Sequence, residues 1–419
     1  MPYLLRFTGD VSVKPASQLR KPNVRILIMG PTGAGKSTFI EAMTGTGKKL
    51  DIAKDSLEGA TQEVNAYELL NVSAVNEFDT QGDEPLTIYL VDSPGFSDPK
   101  IPEVTIINKI KDWLQTQDLY DVDHILYLCP VHPERMGGNK RKTIKMLYSL
   151  LSKDTHKTIT IVTTMWDNVS LLNKTLEKAE KTFSELENVI WKEIVEGGGK
   201  MVRFYNNQQS ALDIIKSALL RDSQYAPFGT HTATTAPDTP TAVALYEELL
   251  GKIESSKLAI QTNRDERRNL ISESMGSPNK SVENILLINI KEEERNLRNF
   301  HAALKSFDPP PKKCKMVPSQ LIYENLRDLY REAEEDEKEM KTRLKASTRS
   351  EEKEITKHLV EARKRLVKSS AKIVEFGFPP RDCELQVVPY RVLSFKNALR
   401  HSGQRFRNMF VKAPVRRER

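Results

Sequence analysis

The sequence predicts an α/β protein: a mostly parallel sheet flanked by helices, followed by an α-helical, partly coiled-coil region. Three observations lead there. From Val24 to about Leu220, short apolar runs rich in β-branched residues alternate with segments of helical period. Between the first run and the first helix stands Gly30-Pro31-Thr32-Gly33-Ala34-Gly35-Lys36-Ser37, a glycine-rich loop ending in Lys-Ser. Beyond residue 242 strand patterns cease, and charged helical patterns take over.

The strands are expected at 24–29, 64–72, 86–92, 124–130, 158–163 and 201–206, with helices near 36–45, 102–116, 138–152, 171–195 and 208–220. Residues 1–22 carry little pattern and read as an irregular lead-in to a domain spanning 23–221. Residues 222–242 change abruptly to Thr, Pro and Ala with few charges and read as a linker. A helical region, 243–377, follows. In it Ile322, Leu326, Leu329, Ala333, Met340, Leu344, Ile355, Leu359, Ala362, Leu366 and Ile373 approximate a heptad seam, broken at Asp336 and over 347–353. A helical hairpin and an intermolecular coiled coil both fit that pattern. Residues 378–419 form a basic tail.

Composition narrows the function classes. At 419 residues, 38% hydrophobic and 29% charged, the chain suits a protein with a real core and some highly charged helix. No apolar stretch is long enough to cross a bilayer. Cys129, Cys314 and Cys383 lie far apart without metal-ligand spacing, which fits a reducing, cytoplasmic setting. The net charge of +7 is local: residues 391–419 hold nine Lys and Arg against Glu418, or +8, so the rest sums to about −1. Specific nucleic-acid binding is therefore not expected. Val392, Phe395, Leu399, Phe406 and Phe410 share a helical face flanked by basic residues, which suits peripheral contact with an anionic membrane surface.

The motifs point to a nucleoside triphosphate. The glycines let the backbone curl around phosphates, Lys36 reaches the β- and γ-phosphates, and the Ser37 hydroxyl ligates Mg²⁺. Thr38 follows at the helix start, whose partial positive charge attracts anions. Asp92-Ser93-Pro94-Gly95 closes an apolar strand. Asp92 there can hold Mg²⁺ through water, and the Gly95 N–H can bond the γ-phosphate. Thr61, ahead of the second strand, is a candidate for both Mg²⁺ and the γ-phosphate. Thr163-Thr164-Met165-Trp166-Asp167 ends another strand. A carboxylate at Asp167 can accept from guanine N1–H and the 2-amino group, donors that adenine does not offer there.

These segments (Gly-Pro-Thr-Gly-Ala-Gly-Lys-Ser-Thr, Gly-Ala-Thr, Asp-Ser-Pro-Gly-Phe-Ser-Asp and Thr-Met-Trp-Asp) resemble the septin-like GTPases. Within them they are most similar to the immune-associated nucleotide-binding (paraseptin) and plastid import-receptor branch, in a form similar to fungal G-domain proteins. The resemblance covers roughly 22–220. It implies a P-loop NTPase G domain, GTP/GDP and Mg²⁺ as ligands, and a nucleotide site that includes Thr164 and Asp167, with Asn206 or Ser210-Ala211 near the base. It also implies a nucleotide-dependent homodimer or oligomer, with Arg135 as an arginine supplied across the dimer.

Two departures stand out. Met165 occupies the position where the family's guanine box carries Lys. Phe96 follows Gly95 where Ras-like enzymes carry the water-orienting Gln, so hydrolysis is expected to be slow, with Lys36, Thr61 and Arg135 as the catalytic candidates. Three functions remain open on sequence: a GTP-binding switch with slow hydrolysis, an ATP-binding P-loop enzyme, and an interaction protein with static nucleotide.

Overall fold

The computed structural model describes residues 2–45, 50–52, 62–76, 84–131, 153–167, 173–220, 226–227, 239–273, 280–307, 309–311, 318–348 and 352–376. Thr61, Arg135, the expected helix at 138–152, most of the 222–242 linker and the 378–419 tail lie outside them.

The chain divides into two compact units, Met1–Cys314 and Lys315–Arg419. The first holds a seven-stranded sheet: β1 (Tyr3–Ala16), β2 (Asn23–Met29), β3 (Asn65–Asn76), β4 (Leu86–Asp92), β5 (His124–Pro130), β6 (Ile159–Thr164) and β7 (Lys200–Arg203). Their spatial order is β1-β3-β4-β2-β5-β6-β7. The pairs β4–β2, β2–β5, β5–β6 and β6–β7 are parallel, whereas β1–β3 and β3–β4 are antiparallel. Buried strand residues alternate between the two faces. Ile26, Ile28, Leu90, Leu126, Leu128 and Val162 pack with Phe39, Phe204 and Ile215 in one core.

Residues 3–16 are a correction to the irregular lead-in. They form the edge strand β1, paired with β3 over ten register positions with a shift between Phe7 and Ser12. Val11 and Val13 are its buried anchors, and the Gln208 amide donates to the Val11 carbonyl at 2.8 Å.

Among the described residues the α-helices of this unit are α1 (Lys36–Ala42), α2 (Glu103–Thr116), α3 (Asn173–Glu185), α4 (Lys192–Glu196), α5 (Gln208–Leu219), α6 (Pro240–Glu273) and α7 (Lys280–Leu304). A π-helical turn, Leu186–Ile190, follows α3. Asn207 caps α5 by accepting from the Ser210 N–H at 2.8 Å. α6 and α7 pack as a hairpin with polar ties between them, Ser256 to Glu293 and Arg267 to Glu283 among them.

The second unit contains α8 (Pro318–Ala346) and α9 (Glu352–Phe376), packed on each other. Ile322, Leu326, Ala333 and Met340 are buried, as are Ile355, Leu359, Ala362 and Leu366. Asp336, where the apolar seam breaks, pairs with Arg365 at 3.1 Å with both side chains largely buried. The break is an ion pair inside the helix pair.

Candidate functional site

Four of the expected segments lie at the carboxyl ends of β2, β4, β6 and β7, the edge where open α/β sheets take ligands. The chain leaves β2 at Gly30, whose φ is +143°. A Cβ there would lie 2.3 Å from the Leu128 carbonyl oxygen, so only glycine lets the loop turn against β5. Gly35 is left-handed and starts α1. No side chain caps that helix, and its first turn holds no acidic residue.

Lys36 lies under the loop and is 7% exposed. Its ammonium donates to the carbonyls of Gly30 at 3.1 Å and Pro31 at 3.0 Å. Burial pulls its pKa down to about 8, against the raising influence of the Asp92 and Asp98 charges. Ser37 and Thr38 occupy the first turn of α1, both half-buried. Pro31, Thr32, Gly33 and Ala34 make the turn between, closed by an Ala34 N–H to Pro31 carbonyl bond of 3.1 Å.

Asp92 ends β4 and is 1% exposed. The loop after it is laid onto the phosphate loop. The Phe96 N–H donates to Gly30 O at 3.1 Å, and the Thr32 N–H donates to Phe96 O at 2.9 Å. Gly95 lies so close that a Cβ would meet Thr32 Oγ1 at 2.3 Å and its Cα at 2.6 Å. Phe96 itself is fully buried, so its side chain has no access to water.

Thr164, at the end of β6, donates its hydroxyl to Ala34 O at 2.9 Å. It braces the phosphate loop from β6, on the far side of β5. Asp167 is exposed in the turn beyond, and the Asn206 amide donates to its Oδ2 at 3.0 Å. Met165 and Asn206 both have positive φ, +68° and +53°. Trp166 is buried with Val131 and Ala179, its indole N–H donating to Thr163 Oγ1 at 3.0 Å. Arg203 stacks on the Trp166 and Phe183 rings, 4.6 and 4.5 Å from their centroids. Its guanidinium also grips Glu180 in two bonds of 2.7 and 2.8 Å.

The donor set suits Mg²⁺. A hydroxyl (Ser37) and a carboxylate (Asp92) flank the phosphate loop. Among the described residues no cluster of three or more His, Cys, Asp or Glu could hold a metal ion. Mg²⁺ commonly keeps waters and binds through one or two protein oxygens plus phosphate, so a sparse set is what it needs.

Residues 25–165 match the family model described as a 50S ribosome-binding GTPase. This segment is a P-loop GTPase domain. The match covers about a third of the chain and ends two residues short of Asp167. No curated protein matches in sequence. Among solved structures, Toc33 from Arabidopsis thaliana in complex with GDP and Mg²⁺ is 12% identical, with TM-score 0.33, covering 49% of this chain and 88% of that one. The cytosolic domain of L. pneumophila FeoB is 14% identical with TM-score 0.27, covering 67% and 98%. Likenesses this distant do not bear on function.

Sequence reasoning missed several residues that shape the site. Asp98 lies inside a quoted motif, yet nothing in its spacing marked its place beside Thr32. Glu103, Glu248 and Lys252, which hold the segment after β4, gave no signal. Arg203 stood in a strand pattern, and its stacking partners come from other elements.

Proposed function

We propose that this GTPase domain binds GTP and GDP with Mg²⁺, hydrolyses GTP slowly, and works as a nucleotide-controlled switch or assembly element. The observation that carries the reading is one phosphate loop served by two carboxylate-bearing strand ends: Asp92 acts on Lys36, and the turn of Asp167, held by Asn206, is tied to the loop through Thr164. In this reading Asp92 serves the γ-phosphate and Asp167 the base.

In this reading Gly30–Gly35 and Lys36 hold the phosphates, Ser37 and Asp92 hold Mg²⁺ with Thr61, and Asp167 reads guanine. Ser37 and Asp92 would hold Mg²⁺ where, when bound, it would neutralise phosphate charge. Slow turnover follows from Phe96, a buried aromatic where a water-orienting amide would be useful. Gly95, in contact with Thr32, couples the presence of the γ-phosphate to the loop behind it.

The ATP-enzyme alternative drew its support from Met165. A carboxylate oriented by Asn206 suits guanine, because adenine offers it neither the N1–H nor the 2-amino donor. Self-association through the nucleotide face, with Arg135 supplied in trans, and contact of 391–419 with an anionic membrane remain part of the proposal, as does a cytoplasmic setting. No helix among the described residues is long and apolar enough to cross a membrane. Calorimetric titration with GTP, GDP and ATP tests the binding reading. Hydrolysis measured against protein concentration tests the self-association: turnover per molecule that stays constant excludes a trans arginine.

A further inference from the structure

The loop that lies on the phosphate loop is also held from behind, by a helix outside the family-matched segment. Lys252 of α6 donates to Asp98 O at 2.6 Å, to Ile101 O, and to Glu103 Oε2 at 3.0 Å. Glu248, one turn earlier, places Oε1 2.8 Å from the same ammonium. Glu103 in turn accepts from the Ser97 N–H at 2.9 Å. An ammonium has three protons to donate, and here they converge on one short segment, 98–103.

At its other end that segment presents a carboxylate to the phosphate loop. Asp98 is 6% exposed. Its Oδ2 is 3.5 Å from Thr32 Oγ1, its Oδ1 accepts from the Lys100 N–H at 2.8 Å, and its charge acts on Lys36. Phe96 is buried and cannot order water, whereas Asp98 is an acceptor this loop carries beside Thr32 and Lys36.

We propose that Asp98 orders the attacking water and takes its proton, and that Lys252 is the positioning residue that holds Asp98 against Thr32. The proposal rests on the GTP-hydrolysis reading above. In the step, the water oxygen forms a bond to the γ-phosphorus while the bond from that phosphorus to the β,γ-bridging oxygen breaks. The electron pair of that bond leaves on GDP. The water's proton passes to the Asp98 carboxylate and then to solvent, giving GDP, inorganic phosphate and one proton. Because a carboxylate repels the γ-phosphate, Asp98 aids the chemical step without aiding GTP binding.

Single-turnover GTP hydrolysis and GTP calorimetry on the full chain test this with Asp98→Asn, Lys252→Met, Lys252→Arg and the Asp98→Asn/Lys252→Met double variant. Asp98→Asn is close to isosteric and should slow hydrolysis about tenfold or more, with GTP affinity unchanged or tighter. Lys252→Met should slow it similarly, with Lys252→Arg restoring part of the rate, and the double variant should be no slower than Asp98→Asn alone. If Lys252→Met melts early, Asp98→Asn and Lys252→Arg carry the test. An Asp98→Asn rate within twofold of the parent overturns the water-ordering role. Losses that multiply in the double variant overturn the positioning role. A parent that binds GTP without turnover defeats the inference while leaving nucleotide binding intact, whereas a parent that binds no GTP defeats the functional reading itself.

Discussion

The Asn206 side-chain amide donates to Asp167 Oδ2 across 3.0 Å, joining the turn after β6 to the turn after β7. Each turn alone would leave its polar group free to rotate. Together they orient one carboxylate. In the proposed reading that carboxylate meets guanine, with Met165 filling the place of a cation.

Asp167→Asn should weaken GTP binding by about five- to 150-fold, from the loss of the carboxylate that accepts both guanine donors, about 1–3 kcal/mol, and shift preference toward xanthine nucleotides. Asn206→Ala should weaken GTP by about fivefold, near 1 kcal/mol for one solvent-exposed bond, without that shift. Competition binding with GTP and XTP distinguishes the two.

Gly95→Ala meets the Thr32 side chain and backbone at once. The loop must lift from Thr32, and the Gly95 N–H moves with it. The GTP to GDP affinity ratio should drop toward one, while GDP binding itself stays within about threefold. A variant that keeps the parent ratio shows that the loop senses no γ-phosphate.

Lys36 should make nucleotide affinity depend on alkaline pH. Without ligand it loses its proton near pH 8, as against the ordinary 10.5, and a bound triphosphate raises that value. GTP affinity should thus be level below pH 8 and fall above it, by up to tenfold per pH unit. The folded pKa is depressed, so the ligand-free fold should gain stability between pH 8 and 10.5. Affinity that stays level to pH 9.5 would show that Lys36 does not contact the phosphates.

Glu248 acts in the neighbouring window with the opposite sign. Burial first, and then the Glu103 charge, push its pKa up to about 8 from 4.5, while Lys252 pulls it down. A raised carboxyl value means that the fold holds a proton the unfolded chain has released. Its stabilising contribution is present below pH 4.5 and is lost as pH rises through 8. Glu248→Gln, neutral throughout, should flatten the fall in melting temperature between pH 6 and 8.5. A parallel fall in parent and variant would assign that dependence elsewhere.

The sheet was legible because its strands are apolar on both faces, and the strands at 86–92 and 124–130 have the bounds expected of them. The phosphate loop was legible because glycine spacing has few other uses. The edge strand β1 was not, since Gly9, Pro15 and the shift after Phe7 interrupt its alternation, and few of its residues are buried. The grip of Lys252 on Asp98 and Ile101 was equally hidden. It joins backbone carbonyls, which carry no residue signature, to a lysine on a helix far along the chain. Asp336 read as a flaw in an apolar seam because its partner Arg365 lies on the next helix.

Calorimetry on verified nucleotide-free protein with Mg²⁺, titrated in parallel with GTP and ATP, tests the account most directly. The arrangement of Lys36, Asp92 and Asp167 requires saturable heat with GTP and binding at least about tenfold weaker with ATP. Absence of heat with either nucleotide, or an ATP affinity equal to that for GTP, would contradict it.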